Sequence, residues 1–226
     1  MVSSYRERGV LDIGLAMRSR KEEAASAITH GIGLGVSLLG SGVLMAKVWQ
    51  TESQLLFIAC LFYCTALMGV FAASTLSHLY FPQKWNARFR SLDQGFIYLL
   101  VVGTIAPFVV SVEPGPIWLA ALLGLIGIAL FGFISKTLLT HRIHDVTLYL
   151  YLVLGWGQVI LFGPLLLSLP WECVAWIVAG GVAYTVGYVF LWADVRHLHF
   201  HAIWHILVMI GGLCHFLGVM HAVSMA

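Results

Sequence analysis

Charge is scarce in this chain. Asp, Glu, Lys and Arg make up 10% of its 226 residues, 60% are hydrophobic, and mean hydropathy is +0.93. A soluble domain carries about 25% charged and about 45–50% apolar residues. The scarcity excludes a water-soluble globular domain and points to an integral membrane protein. The net charge is only +2, with basic residues spread along the chain, which leaves no basic patch for a nucleic acid. Cysteine is scarce too. Cys60, Cys64, Cys173 and Cys214 match no zinc-finger spacing and three lie inside apolar runs, so they read as small core residues. Long apolar sequence is missing from the start, where Arg6, Glu7, Arg8 and Asp12 fall. That start does not read as a cleavable signal peptide.

What is present is a series of long apolar runs. A helix needs about 20 apolar residues to cross roughly 30 Å of hydrocarbon. Seven runs qualify, over residues 28–49, 55–79, 94–112, 117–135, 146–168, 171–192 and 201–223. Short breaks separate them, such as Glu113-Pro114-Gly115-Pro116 and Ser168-Leu169-Pro170. Loops this short make neighbouring helices antiparallel and leave no room for a second domain. The expected fold is an all-α, seven-transmembrane helix bundle. Residues 1–27 read as a cytoplasmic N-terminal segment and 28–226 as the transmembrane domain.

Basic residues set the expected orientation. Arg6, Arg8, Arg18, Arg20, Lys21, Lys84, Arg88, Arg90, Lys136, Arg142 and Arg196 all fall on one side of this arrangement, and only Lys47 on the other. The positive-inside rule then puts the N-terminus in the cytoplasm and the C-terminus outside. Trp49, Trp118 and Trp171 sit at the outer edges, as interface anchors do. The 23 glycines cluster inside the spans, which suits close helix packing in lipid. Dimerisation through Gly31-x-x-x-Gly35 has little support, and no oligomeric state is read from the sequence.

Against this background stands one polar constellation. Ser74 and His78 end the second run, Asp93 opens the third, and His201 and His205 open the seventh, all at the inner edge. His201 and His205 are four apart and share a helix face. With His78 they supply three imidazoles, the donor set of a zinc site that keeps one position open, as catalytic sites do. Asp93 is placed to orient a ligand or act as a base. Spacing alone leaves three readings: a metal site, histidines at the lipid interface bonded to phosphate, or a haem site or proton relay. Glu23 and His30 share a face of the first span and read as bonding a neighbouring helix. His215 lies ten residues beyond His205, too far along the helix to join one metal shell. His141, His144, His197 and His199 read as solvated in inner loops, and Glu22 and His221 receive no role.

The chain resembles the hemolysin III branch of the progestin and adipoQ receptor family, seven-span proteins distantly similar to alkaline ceramidases. The resemblance covers nearly everything after residue 20. It is carried by Glu22-Glu23 before Thr29-His30-Gly31-Ile32-Gly33, by Ser74-x-x-x-His78, by Asp93 leading into Ile97-Tyr98-Leu99-Leu100, Gly103-Thr104 and Pro107, and by His201-x-x-x-His205. It implies that His78, His201 and His205 bind zinc near the cytoplasmic face, with Ser74 and Asp93 beside them. The chain departs from the family pattern at Ser26, Gln94 and Ile105-Ala106.

Three functions follow as expectations. The first is a zinc-dependent hydrolase of a lipid amide or ester, taking a membrane lipid and releasing a fatty acid, with Asp93 moving protons and Ser74 hydrogen-bonding beside it. The second is a non-catalytic sensor of the bilayer, with zinc as a clamp. The third is a pore-forming cytolysin, which no repeated polar stripe supports. The expected location is a bacterial inner membrane.

Overall fold

The computed structural model describes residues 20–79, 81–138, 144–193 and 200–226. His141, His197, His199, Arg142 and Arg196 fall outside them, as do Arg6, Arg8 and Arg18. Among the described residues there are helices and no strand. They are α1 (Arg20–Trp49), α2 (Gln54–His78), α3 (Gln83–Ser111), α4 (Pro116–Leu138), α5 (His144–Leu161), α6 (Gly163–Leu166), α7 (Trp171–Ala193) and α8 (Phe200–Val223). Six of them, all but α5 and α6, hold a stretch long and apolar enough to cross a membrane. In hydrocarbon this is the expected solution, because a helix satisfies every backbone N–H and C=O within itself.

Two boundaries differ from the sequence reading, each for a local reason. The first lies between α2 and α3, where residues 81–92 read as a loop. Helix α3 instead starts at Gln83, so Asp93 stands well inside a helix and does not open one. The Pro82 carbonyl accepts from the backbone N–H groups of Trp85 and Asn86 at 2.8 and 3.2 Å, which starts the helix. Trp85 and Phe89 stack at 6.3 Å, and the Arg88 guanidinium lies 5.2 Å over the Trp85 ring. Hydropathy registers the apolar part of α3 and misses this polar extension.

The second lies in residues 146–168, read as one span. Pro164 has no N–H to give the Ile160 carbonyl, so the helix stops at Leu161 and the short α6 follows. Proline suits the first turn of α6, where its missing N–H is not needed. Phe162, fully buried, fills the corner and meets Trp118 at 6.0 Å between ring centres. Trp118 therefore packs inward, whereas Trp49 and Trp171 are exposed.

Helix α3 is the centre of the bundle. It packs on α2, α4, α5, α6 and α8, while α7 pairs with α8 and α1 closes over α2 and α8. The main core joins Leu56, Tyr63, Phe71, Ile105, Phe108 and Val219 from α2, α3 and α8. Cys60, Cys64 and Cys173 are buried in it as free thiols. The outer face of α1 leaves Ile28, Ile32, Leu39 and Val43 exposed, the expected surface toward lipid. Polar ties fix α5: the Tyr151 hydroxyl donates to the Gln94 carbonyl at 2.6 Å, and the Trp156 N–H to Thr185 Oγ1 at 3.0 Å.

Some glycines are close-packing points and others are not. A Cβ on Gly218 would lie 2.9 Å from Phe108 Cζ and 3.0 Å from Trp176 Cβ, and Phe108 is itself fully buried. A Cβ on Gly35 or Gly42 would meet nothing within 4 Å. Overpacking a filled core costs about 1–3 kcal/mol. Gly218→Leu should therefore lower the thermal midpoint of the detergent-purified protein measurably, whereas Gly42→Ala should leave it in place. Equal midpoints for the two variants would contradict this packing.

Candidate functional site

Helices α1, α2, α3 and α8 converge at one end of the bundle. Helix α2 brings Ser74 and His78 in its last turns, and α8 brings His201 and His205 in its first. The ligand atoms offered by His78, His201 and His205 all lie within 4.8 Å of one another. Their ring centres stand 5.4 Å (His78–His201), 4.9 Å (His78–His205) and 4.4 Å (His201–His205) apart. Helix periodicity puts the α8 pair on one face. Helix α1 binds both α2 and α8, which brings His78 against that pair.

Helix α1 supplies the support. The His78 Nδ1–H donates to Glu23 Oε2 at 2.7 Å. His205 Nδ1 hydrogen-bonds His30 Nε2, with ring centres 4.0 Å apart, and both rings are buried. Glu23 and His30 thus bond neighbouring helices, as their shared face suggested. Each holds the Nδ1 of one member of the trio and leaves Nε2 of that ring for a metal. A carboxylate on the far nitrogen of a ligating histidine is a usual outer partner in metal sites, where it fixes tautomer and orientation, and the lone pair of His30 Nε2 can accept from His205 in the same way. The donor set and its support therefore fit a borderline-soft divalent ion such as zinc.

Asp93 on α3 faces the same region. The Ser74 hydroxyl lies within hydrogen-bonding reach of its carboxylate, and the positive charge of Arg90 is close enough to act on it. Ser74 is buried, and Asp93 lines an internal cavity of about 450 Å³ together with the three histidines. All five site residues proposed from sequence are brought together there.

The cavity extends far beyond them. From the trio it follows α3 as far as Phe108 and α8 as far as His215, with α5 and α7 forming the opposite walls. His215 lies about 15 Å from His205 along the helix at 1.5 Å per residue. It is not in the metal group but does line the same cavity. Most of the lining is apolar, including Val70, Ile97, Leu100, Val159 and Val208. Arg90, Gln158 and Tyr184 also line it and had drawn no role from sequence. Their only sequence signal is that each is polar within or beside an apolar run.

A helical membrane protein with a three-histidine group at one end of a long apolar cavity is the class these observations define. Its family follows from comparison. The haemolysin-III related family matches residues 18–216. Hemolysin-3 of Bacillus cereus is 32% identical over 201 residues, covering 88% of this chain and 91% of that protein. The Hemolysin-3 homolog of Bacillus subtilis (strain 168) is 30% identical, covering 88% and 93%. The human monocyte to macrophage differentiation factor is 25% identical over 214 residues, covering 88% and 83%. No solved structure matches the chain. The chain belongs to the haemolysin-III related family, and its similarity to the human protein fits the broader progestin and adipoQ receptor placement.

The outer partners give a graded test. Elemental analysis should find one transition-metal ion per chain in the wild type and none after His201→Ala. Glu23→Gln should keep the fold and weaken metal affinity about 10–100-fold, the usual cost of losing such a partner. Unchanged affinity in Glu23→Gln would show that the His78–Glu23 bond does not serve a metal.

Proposed function

We propose that this protein is a zinc-dependent hydrolase of a membrane lipid, cleaving an amide or ester and releasing a fatty acid. One observation carries the reading. Three imidazoles able to share one ion stand beside an Asp–Ser pair at the end of a long, largely apolar cavity. Polar groups convergent at one end of an apolar pocket of about 300–1,000 Å³ are the usual form of a small-molecule site.

His78, His201 and His205 would hold the ion. When bound, zinc supplies Lewis acidity toward a carbonyl and toward water. The remaining work falls to this chain's own groups. The apolar walls take the acyl chain and place the scissile carbonyl near Asp93. An Asp93 carboxylate oxygen accepts a proton as the water oxygen bonds to the carbonyl carbon. The same carboxyl then returns the proton to the leaving nitrogen or oxygen as its bond to that carbon breaks. Ser74 donates to the carboxylate and fixes its position between these transfers.

The proposed topology has seven crossings, with α5 and α6 together forming the fifth, the N-terminus in the cytoplasm and the C-terminus outside. The positive-inside distribution supports it. The setting proposed is a bacterial inner membrane, supported by the Bacillus relatives. The division into an N-terminal segment, 1–27, and a transmembrane domain, 28–226, belongs to the same proposal. Cysteine labelling from outside should reach Ser53→Cys and not Arg88→Cys, and the reverse pattern would invert the topology.

A sensor with zinc as a clamp is the second reading. The bonds from α1 to both α2 and α8 favour it, because they would rigidify the site even without turnover. Activity separates the two. Purified wild type should release fatty acid from an acyl-amide or acyl-ester lipid. Asp93→Asn should keep its metal and lose about 10²–10⁴ in rate, the usual contribution of one general base. Wild type that holds zinc but turns over no lipid across a broad panel would favour the sensor.

A further inference from the structure

The far end of the cavity holds two buried acceptors that the proposed hydrolysis does not use. His215 on α8 is 9% exposed, and its Nε2 lies 3.1 Å from the Ile177 carbonyl. A carbonyl only accepts, so Nε2 carries the proton and Nδ1 of the neutral ring is an acceptor. Gln158 on α5 is 6% exposed, and its Nε2 donates to the Val101 carbonyl at 2.6 Å. Turning that amide over would set oxygen against oxygen, so Oε1 is the remaining acceptor. His215 Nδ1 and Gln158 Oε1 are both buried and have no hydrogen-bond partner in the protein. Both residues line the cavity. Two donors that share its lining are committed elsewhere: Thr104 Oγ1 to the Leu100 carbonyl at 2.7 Å, and the Trp156 N–H to Thr185.

A buried polar group left without a partner costs about 1–3 kcal/mol, and native proteins rarely keep one without a use. Here both orphaned atoms are of one sign: each can accept and neither can donate. His215 lies about 15 Å beyond His205 along α8, and Gln158 bonds the carbonyl of Val101, eight residues beyond Asp93 on α3, where a simple acyl chain would offer only methylene groups.

We infer that this far end is a second recognition site, in which His215 Nδ1 or Gln158 Oε1 accepts the one hydrogen bond that a hydroxyl carried on the chain of the bound amphiphile, distant from its headgroup, can donate. The inference rests on the reading of the cavity as an acyl-chain site. It adds that the preferred lipid is hydroxylated on its chain. An ether or ketone oxygen at the same place would be rejected, because it accepts and cannot donate.

The test compares three ligands on the full-length protein in detergent micelles. They are ω-hydroxy, ω-methoxy and unsubstituted fatty acids over a range of chain lengths, each competing with a fluorescent fatty acid. The ω-hydroxy acid should bind about tenfold tighter than both others at one preferred length, as one extra net hydrogen bond implies. At least one of Gln158→Leu and His215→Phe should reduce the ratio of ω-hydroxy to unsubstituted binding, a ratio taken within each variant so that any change in the cavity walls cancels. The wild-type comparison stands even where a variant fails to fold. Equal binding of the three ligands would overturn the inference and assign the acceptors to water, while leaving the acyl-chain reading intact. Failure of every acid to bind would overturn both. Selective binding without any lipid turnover would keep this site and remove the hydrolase.

Discussion

Hydrocarbon gives no hydrogen bonds, and the histidine-bearing half of this bundle is arranged around that constraint. Four imidazoles and two carboxylates meet where α1, α2, α3 and α8 converge. An isolated polar group there costs several kcal/mol. The helices lower this cost by satisfying one another's side chains: Glu23 takes the N–H of His78, His30 bonds His205, and Ser74 lies within reach of Asp93. Helix α1 is therefore more than a lipid-facing cover. Its outer side is apolar and exposed, while its inner side holds the two side chains that bond His78 and His205.

The same constraint links the site to the cavity. Helix α3 carries Asp93 in its first half and Val101 to Phe108 farther along, so one rigid element sets both the polar end and the depth of the pocket. Helix α5 is held against it by Tyr151 to Gln94 and by Gln158 to Val101, each a side chain bonding a backbone carbonyl of α3. Close helix contact at Gly218 packs α8 on Phe108 beside the cavity's far end. The largely apolar space survives because its walls are fixed by such contacts and are not left to collapse, since apolar interiors otherwise close to organic-crystal density.

Much of this was legible in the sequence, in proportion to how local the signal is. Hydropathy over about 20 residues identified the long helices, since the bilayer sets that length. The polar residues Ser74, His78, Asp93, His201 and His205 stood out because their background is apolar. Hydropathy did not show where helices continue beyond lipid, and so Asp93 was placed at the start of a helix that begins at Gln83. Nor did it weigh Pro164, which divides residues 146–168 into α5 and α6. Pairings such as His30 with His205 are non-local contacts between spans, and no spacing rule encodes them. Gln158 and His215 gain meaning only when both are seen to line one cavity.

The central claim is that His78, His201 and His205 bind one zinc ion with nitrogen ligands at this cavity. X-ray absorption at the zinc edge of the purified protein tests it most directly. The account predicts a shell dominated by imidazole nitrogen at about 2.0–2.1 Å, with no sulfur. That signal should disappear in the His78→Ala variant. A shell at about 2.3 Å, the distance of zinc to thiolate, or an unchanged spectrum in the variant, would contradict it.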